Sequence, residues 1–403
     1  MTLRKRLPVA LALASVGLAA QPQTAAERYN HFVGARYDAG KIIQTNDFLR
    51  DRGMERFKGG QIEIGWQALG TKEWELAHKL PSFGVGIGTA WMDKREDIGQ
   101  PISLFGFYNG VFWRHGGHSL HYNIEAGLAC GWKCYNPRTN PDNIAVGSKV
   151  TCRVGLGLEY AYTIAGQWRI GIGGGFTHYS NGAIRKPNKG VNLAKAQLSL
   201  AYMLRKRDLP AAIRPATKLK GNEIDITLGY GLKRFEVDTL EHPEVKGEYK
   251  LGARYNSMTL QCQYLHRYCH KGKYGVGVSV VYDELTGSDI RPKGDDVEVV
   301  LGPASKRYSW GVFAAHEFCI GQLGIVTQMG YYLHQPKGVP RRQRKDVSFQ
   351  RAGLKYTLPM GLHAGVNIYA HRLTVADFIE WNIGYSLPIN RRGGSAKPDV
   401  GKL

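Results

Sequence analysis

The chain has 403 residues and a formal charge of +21, set by 54 Lys and Arg against 33 Asp and Glu. Gly (51) and Tyr (22) are plentiful, and mean hydropathy is slightly negative. After the N-terminus no segment reaches the ~18 consecutive apolar residues of a spanning helix. That excludes a helical membrane protein and leaves a barrel as the only membrane option.

Arg4-Lys5-Arg6, an apolar run from Leu7 to Leu18, and Ala19-Ala20 read as a secretory signal peptide over residues 1–20. Export makes nucleic acid a poor partner for the positive charge, and a phosphorylated outer-leaflet glycolipid a good one. A basic surface with no specific ligand is the plainer reading. Of the six cysteines, Cys130 and Cys134 are spaced for a disulfide in an oxidising compartment. Cys152, Cys262 and Cys319 read as small apolar strand residues.

From about residue 33 the sequence reads as strand after strand. Val150, Cys152, Val154, Leu156, Leu158, Tyr160 and Tyr162 share one parity, against Thr151, Arg153, Gly155, Gly157 and Glu159 on the other. One apolar and one polar face is the pattern of a barrel strand with a polar lumen. The split recurs over residues 194–202, 274–282, 362–368 and 379–387, giving about sixteen strands in a transmembrane antiparallel outer-membrane β-barrel. Short turns alternate with long connections, which places the 181–190 loop on the outer side and both termini in the periplasm.

The stretch 206–221 is long yet periplasmic, and divides the strands into eight and eight. It reads as a loop within one large barrel or, alternatively, as a linker between an eight-stranded barrel (33–205) and a second β unit. One barrel is preferred, because the lipid-facing pattern continues through 222–387. A polar tail follows from Pro388 to Leu403.

The run Trp168, Ile170, Ile172, Gly174, Phe176 puts His178 and Ser180 on its own face. A histidine and a hydroxyl two residues apart on one strand can form a nucleophile–base pair. On a barrel wall that pair faces lipid, so the substrate should be a lipid. Gly171-x-Gly173-Gly174-Gly175 lies inside the strand and reads as a site of close approach or curvature. His316-Glu317 lacks the second histidine of a zinc motif and reads as structural. No metal or cofactor is expected.

His178-x-Ser180-Asn181 followed by Pro187-Asn188-x-Gly190 resembles the signature of the outer-membrane lipid A 3-O-deacylases, especially their longer, acyloxyacyl hydrolase-like members. The resemblance covers residues 33–205, and Val375 to Tyr385 looks like the C-terminal half of the longer members. It implies a deacylase-like barrel over 21–205 that cleaves the 3-O-linked hydroxyacyl ester of lipid A on its outer wall. Carried over by position, Ser180 is the nucleophile and His178 the base, with Asn181 and Asn188 as oxyanion donors. The position of the family's orienting glutamate holds Asn192, whose parity sets it beside His178. Its amide oxygen can fix the imidazole tautomer but cannot stabilise imidazolium by charge. Arg185, Lys186 and Lys189, and the basic run Lys337 to Lys345, read either as phosphate contacts for lipopolysaccharide or as solvated loop. The competing classes are a catalytically impaired lipopolysaccharide-binding barrel and a porin-like channel. Oligomeric state is not legible.

Overall fold

The computed structural model describes residues 28–206, 209, 213–237, 250–293, 296–336, 347–372 and 375–392. The expected signal peptide, the basic run 337–345 and the tail from 393 lie outside the described residues.

Eight antiparallel strands form the first unit: β1 (Tyr29–Ile43), β2 (Arg56–Ala68), β3 (Ser82–Met92), β4 (Gly99–His115), β5 (His118–Trp132), β6 (Val150–Ile164), β7 (Trp168–Ser180) and β8 (Val191–Met203). They close on themselves: β1 pairs with β8 from Phe32↔Met203 to Ile43↔Asn192. The next strands are β9 (Lys220–Val237), β10 (Lys250–Cys269) and β11 (Gly272–Asp283), then a separate hairpin, β12 (Asp289–Lys293) and β13 (Asp296–Val300). Then come β14 (Tyr308–Ile320), β15 (Leu323–His334), β16 (Ser348–Thr357), β17 (Leu362–His371) and β18 (Val375–Arg392). Apart from the hairpin, these eight close a second barrel through β18 and β9. The preferred single large barrel is thus corrected to two barrels of eight. The outward pattern is the same in either case, and what distinguishes them is the bore, which at eight strands is just wide enough to be filled by side chains.

Both bores are filled. In the first, Arg36 pairs with Glu63 (2.9 Å) and Glu159 (3.6 Å), Arg153 with Glu125, and Lys195 with Asp38 (3.3 Å). In the second, Arg351 pairs with Glu380 (3.2 Å) and stacks on Tyr369, and Lys355 bridges Glu317 (2.6 Å) and Asp225 (3.3 Å). Charges taken from water require such partners. Outward positions are apolar and bare, with Ile62, Leu104 and Ile172 about 60% exposed or more. No helix is long and apolar enough to cross a membrane among the described residues. The lipid-facing band is the strands' own.

At the distal rim, opposite the barrel ends nearest the chain termini, helix α1 (Asp47–Asp51) and the loops form an apolar lid. Phe48, Leu49, Met54, Ile98, Trp132, Val146, Tyr179 and Leu193 pack in one cluster. At the terminal rim, the 69–81 connection carries helix α2 (Glu73–Ala77), a second long connection on that side besides 206–221. Glu73 accepts from Arg214 and from Thr217 N (both 2.7 Å), and these bonds hold its carboxyl down at about 2. His78, just beyond α2, joins the barrels: its Nε2 donates to the carbonyl of Cys319 (2.9 Å) and its Nδ1 accepts from Tyr122 (3.2 Å). Burial pushes its pKa down to about 4.

The strand limits differ a little from the sequence reading: β9 starts within the stretch read as linker, and β18 runs past Leu387 to Arg392. All six cysteines are free, so Cys130 and Cys134 are not bonded. In the glycine run, Cβ atoms at Gly173 and Gly175 would stand 2.2 and 2.5 Å from the carbonyl oxygens of Leu158 and Leu156. Glycine there permits close strand approach. His316 and Glu317 face opposite ways, the first to Tyr268 on the wall and the second to Lys355 in the bore.

Candidate active site

Strand β7 ends in Ser180, and alternation places Ser180 and His178 on the outer wall while Tyr179 between them points in. Tyr179 is buried in the distal lid and meets Trp132 edge-on at 5.2 Å. That anchor fixes the strand end carrying both polar side chains. His178 and Ser180 are half-buried, unlike Ile170 and Ile172 further down the same face.

Asn192 lies directly opposite His178 in the β7–β8 pairing, and its Oδ1 is 2.6 Å from His178 Nδ1. Its Nδ2 donates to Thr45 Oγ1 at 3.4 Å, which orients the amide with oxygen toward the ring. An acceptor at Nδ1 puts the proton there and leaves Nε2 with a lone pair.

Ser180 Oγ accepts from Asn188 Nδ2 (2.8 Å) and from the backbone N–H of Gly182 (3.3 Å). His178 makes no hydrogen bond to it among the described residues. Residues two apart on a strand are about 6.6 Å apart along the axis, so the side chains must lean together to meet. Asn188 is itself held, since its Oδ1 accepts from Asn181 N (3.3 Å). The Asn181 side chain turns away, donating to Ser148 Oγ (3.1 Å) and the Arg185 carbonyl (2.7 Å). Its side chain therefore braces the loop, and the second donor at Ser180 is Gly182 N–H. Sequence reasoning missed that donor, because a backbone amide carries no residue signal; the positive φ of Gly182 (61°) is the feature that turns it.

The loop is locked by Lys189 N and Gly190 N, which donate to the carbonyls of Ile144 and Ala145 (2.9 Å each). Gly190 has φ 79°, and a Cβ there would stand 2.9 Å from His178 Cε1. Only glycine leaves room for the imidazole. Arg185 and Lys186 are half-buried in this loop and Lys189 is exposed. Arg185 Nε is buried without a hydrogen-bond partner.

A filled barrel with a bare apolar outer wall is the form of an outer-membrane protein, and this one carries a serine, an imidazole and amide groups together on that wall. Two family models match it: "Lipid A 3-O-deacylase (PagL)" over residues 60–201 and "Acyloxyacyl hydrolase, C-terminal domain" over residues 222–391. The chain belongs to the lipid A 3-O-deacylase family and resides in the outer membrane. Among solved structures it is similar to the outer membrane enzyme PagL, at 13% identity and TM-score 0.31, over 41% of this chain and 97% of that one. It is also similar to a triple mutant of the Rhodopseudomonas blastica porin (9% identity, TM-score 0.17, 89% and 100% of the chains). A third is Omp33 of Acinetobacter baumannii (7%, 0.16, 89% and 98%). No curated protein sequence matches the chain.

Proposed function

We propose that the protein is an esterase that removes the 3-O-linked hydroxyacyl chain of lipid A. His178 Nε2 takes the Ser180 proton, and Ser180 Oγ attacks the ester carbonyl. The tetrahedral oxyanion is held by Asn188 Nδ2 and Gly182 N–H, a type of contact worth about 3 kcal/mol per donor. Collapse expels the sugar alkoxide, which takes the proton from His178, and leaves an acyl-serine. Water, activated by the same imidazole, then releases the hydroxy acid. Arg185, Lys186 and Lys189 would meet the lipid A phosphates from the loop above.

The observation that carries this reading is the convergence on one outer wall of the His178–Asn192 contact (2.6 Å) and the Asn188–Ser180 contact (2.8 Å). Polar groups facing hydrocarbon are costly and are retained for function. A second reading, a lipopolysaccharide-binding barrel with an impaired site, is favoured by the amide at position 192 and by the missing His178–Ser180 hydrogen bond. Mass spectrometry of lipid A from cells expressing wild type or Ser180→Ala decides between them. Loss of one 3-O-acyl chain only with wild type supports the esterase; identical acylation in both overturns it.

A further inference from the structure

The two barrels touch at two levels and leave a gap between. At the terminal rim Phe318 of β14 packs edge-on against His78 (5.3 Å) and against Tyr122 (6.1 Å). At the distal rim Ile379 of β18 lies against Gly182: a Cβ there would be 2.9 Å from Ile379 Cγ1. The contact thus crosses from β14 to β18 on one barrel and from β5 to the β7–β8 loop on the other, as tilted strands require.

A cavity of about 1210 Å³ opens at the terminal rim, where Lys72, Glu73, Arg267 and His270 line it, and reaches up between the barrels to an apolar end with Ile124 and Ala126 of the first barrel opposite Ile325 and Leu354 of the second. Ala126 shares a cross-strand row with Val154 and His178. Two strand spacings, about 10 Å, therefore separate the cavity wall from the imidazole. Leu354, Val366, Ile368 and Ile379 are half-buried, whereas Ile226 and Leu228 elsewhere on the same barrel are more than half exposed. The second barrel has an apolar face turned to the catalytic wall.

We infer that the acyl chain to be released lies in this cleft, running from Ser180 past Val154 toward Ala126 and Leu354, so that the second barrel sets acyl-chain specificity. The inference rests on the esterase reading above. Its occupant is the substrate's own hydrocarbon: the facing walls at Ile124, Ala126, Ile325 and Leu354 are apolar, and Ile379 of the same second barrel lies against Gly182, whose N–H donates to Ser180 Oγ.

The test uses the full-length protein in detergent micelles, with lipid A carrying either a shorter or a longer 3-O-hydroxyacyl chain. Released acids are quantified, and folding is checked by heat-modifiable gel mobility. Leu354→Trp narrows the cleft and is expected to shift the short-to-long ratio of kcat/KM upward by about tenfold, within the range of methylene discrimination. Leu354→Ala widens it and is expected to shift the ratio the other way. Ile226→Trp, on the lipid-facing wall, is expected to match wild type. Unchanged ratios in both folded Leu354 variants, with wild-type hydrolysis intact, overturn the inference alone. Hydrolysis by Ser180→Ala equal to wild type overturns the esterase reading instead.

Discussion

His178 Nδ1 and Asn192 Oδ1 stand 2.6 Å apart across the β7–β8 hairpin, so an amide holds the imidazole where a carboxylate would add charge. The geometry fixes the tautomer without stabilising imidazolium. Asn192→Ala is expected to lower kcat by about 10²-fold, a typical share of general-base catalysis. Asn192→Asp keeps the shape, supplies the charge, and is expected to raise kcat by about tenfold, or 1.4 kcal/mol. Steady-state deacylation measures both, and a folded Asn192→Asp protein slower than wild type would refute the role.

Asn188 and Asn181 are both loop asparagines but do different work. Removing the Asn188 amide is expected to cut kcat by about 10²- to 10³-fold with little change in KM, the mark of a donor used in the transition state. Asn181→Ala instead frees Ser148 and the Arg185 carbonyl, and should loosen the loop. The predicted outcome is a rise in KM with proteolytic sensitivity between residues 181 and 190.

Gly190→Ala meets two obstacles, a positive φ and the His178 ring. We expect about 1 kcal/mol of destabilisation from the backbone alone. Activity should fall further than the melting temperature suggests, because the imidazole is displaced. Matching thermal unfolding against turnover separates the two effects.

The barrel-to-barrel contact at His78 gives a pH dependence. Its folded-state pKa is depressed to about 4, below the unfolded value near 6.5. Between these values the unfolded chain binds the proton and the folded one does not, so stability falls as pH drops from about 6.5 to about 4 and then levels off. The contribution is at most roughly 3 kcal/mol. Melting curves in detergent should show the slope in wild type and lose it in His78→Phe.

The filled bores predict a closed protein. Planar-bilayer recordings are expected to show no porin-sized steps. Glu380→Gln leaves the buried Arg351 guanidinium without its counter-charge, and should destabilise the second barrel by about 3–5 kcal/mol. Denaturant unfolding followed by tyrosine and tryptophan fluorescence would detect it.

Outward parity was legible, and with it the strand positions, the lipid-facing wall and the placing of His178, Ser180 and Asn192 on it. Period-two alternation is a local property and survives any closure of the sheet. Which strands close was not legible, because β8 pairing with β1 or with β9 leaves the outer face unchanged; only the bulk of Arg36, Arg153, Phe349 and Arg351 inside speaks for narrow bores. That the Asn181 side chain donates to Ser148 and the Arg185 carbonyl was not legible, because loop side chains obey no periodicity. The Gly182 N–H was invisible because a backbone amide carries no residue signal, and Ile379 is some two hundred residues away along the chain from the loop it touches.

Residues 206–219 lead from β8 toward β9, with Glu73 gripping Arg214 and Thr217 on the way. A covalent tether makes encounter of the two cylinders independent of how many copies the cell produces. Even a single molecule, alone in a sparse patch of outer membrane, carries its own neighbour with it.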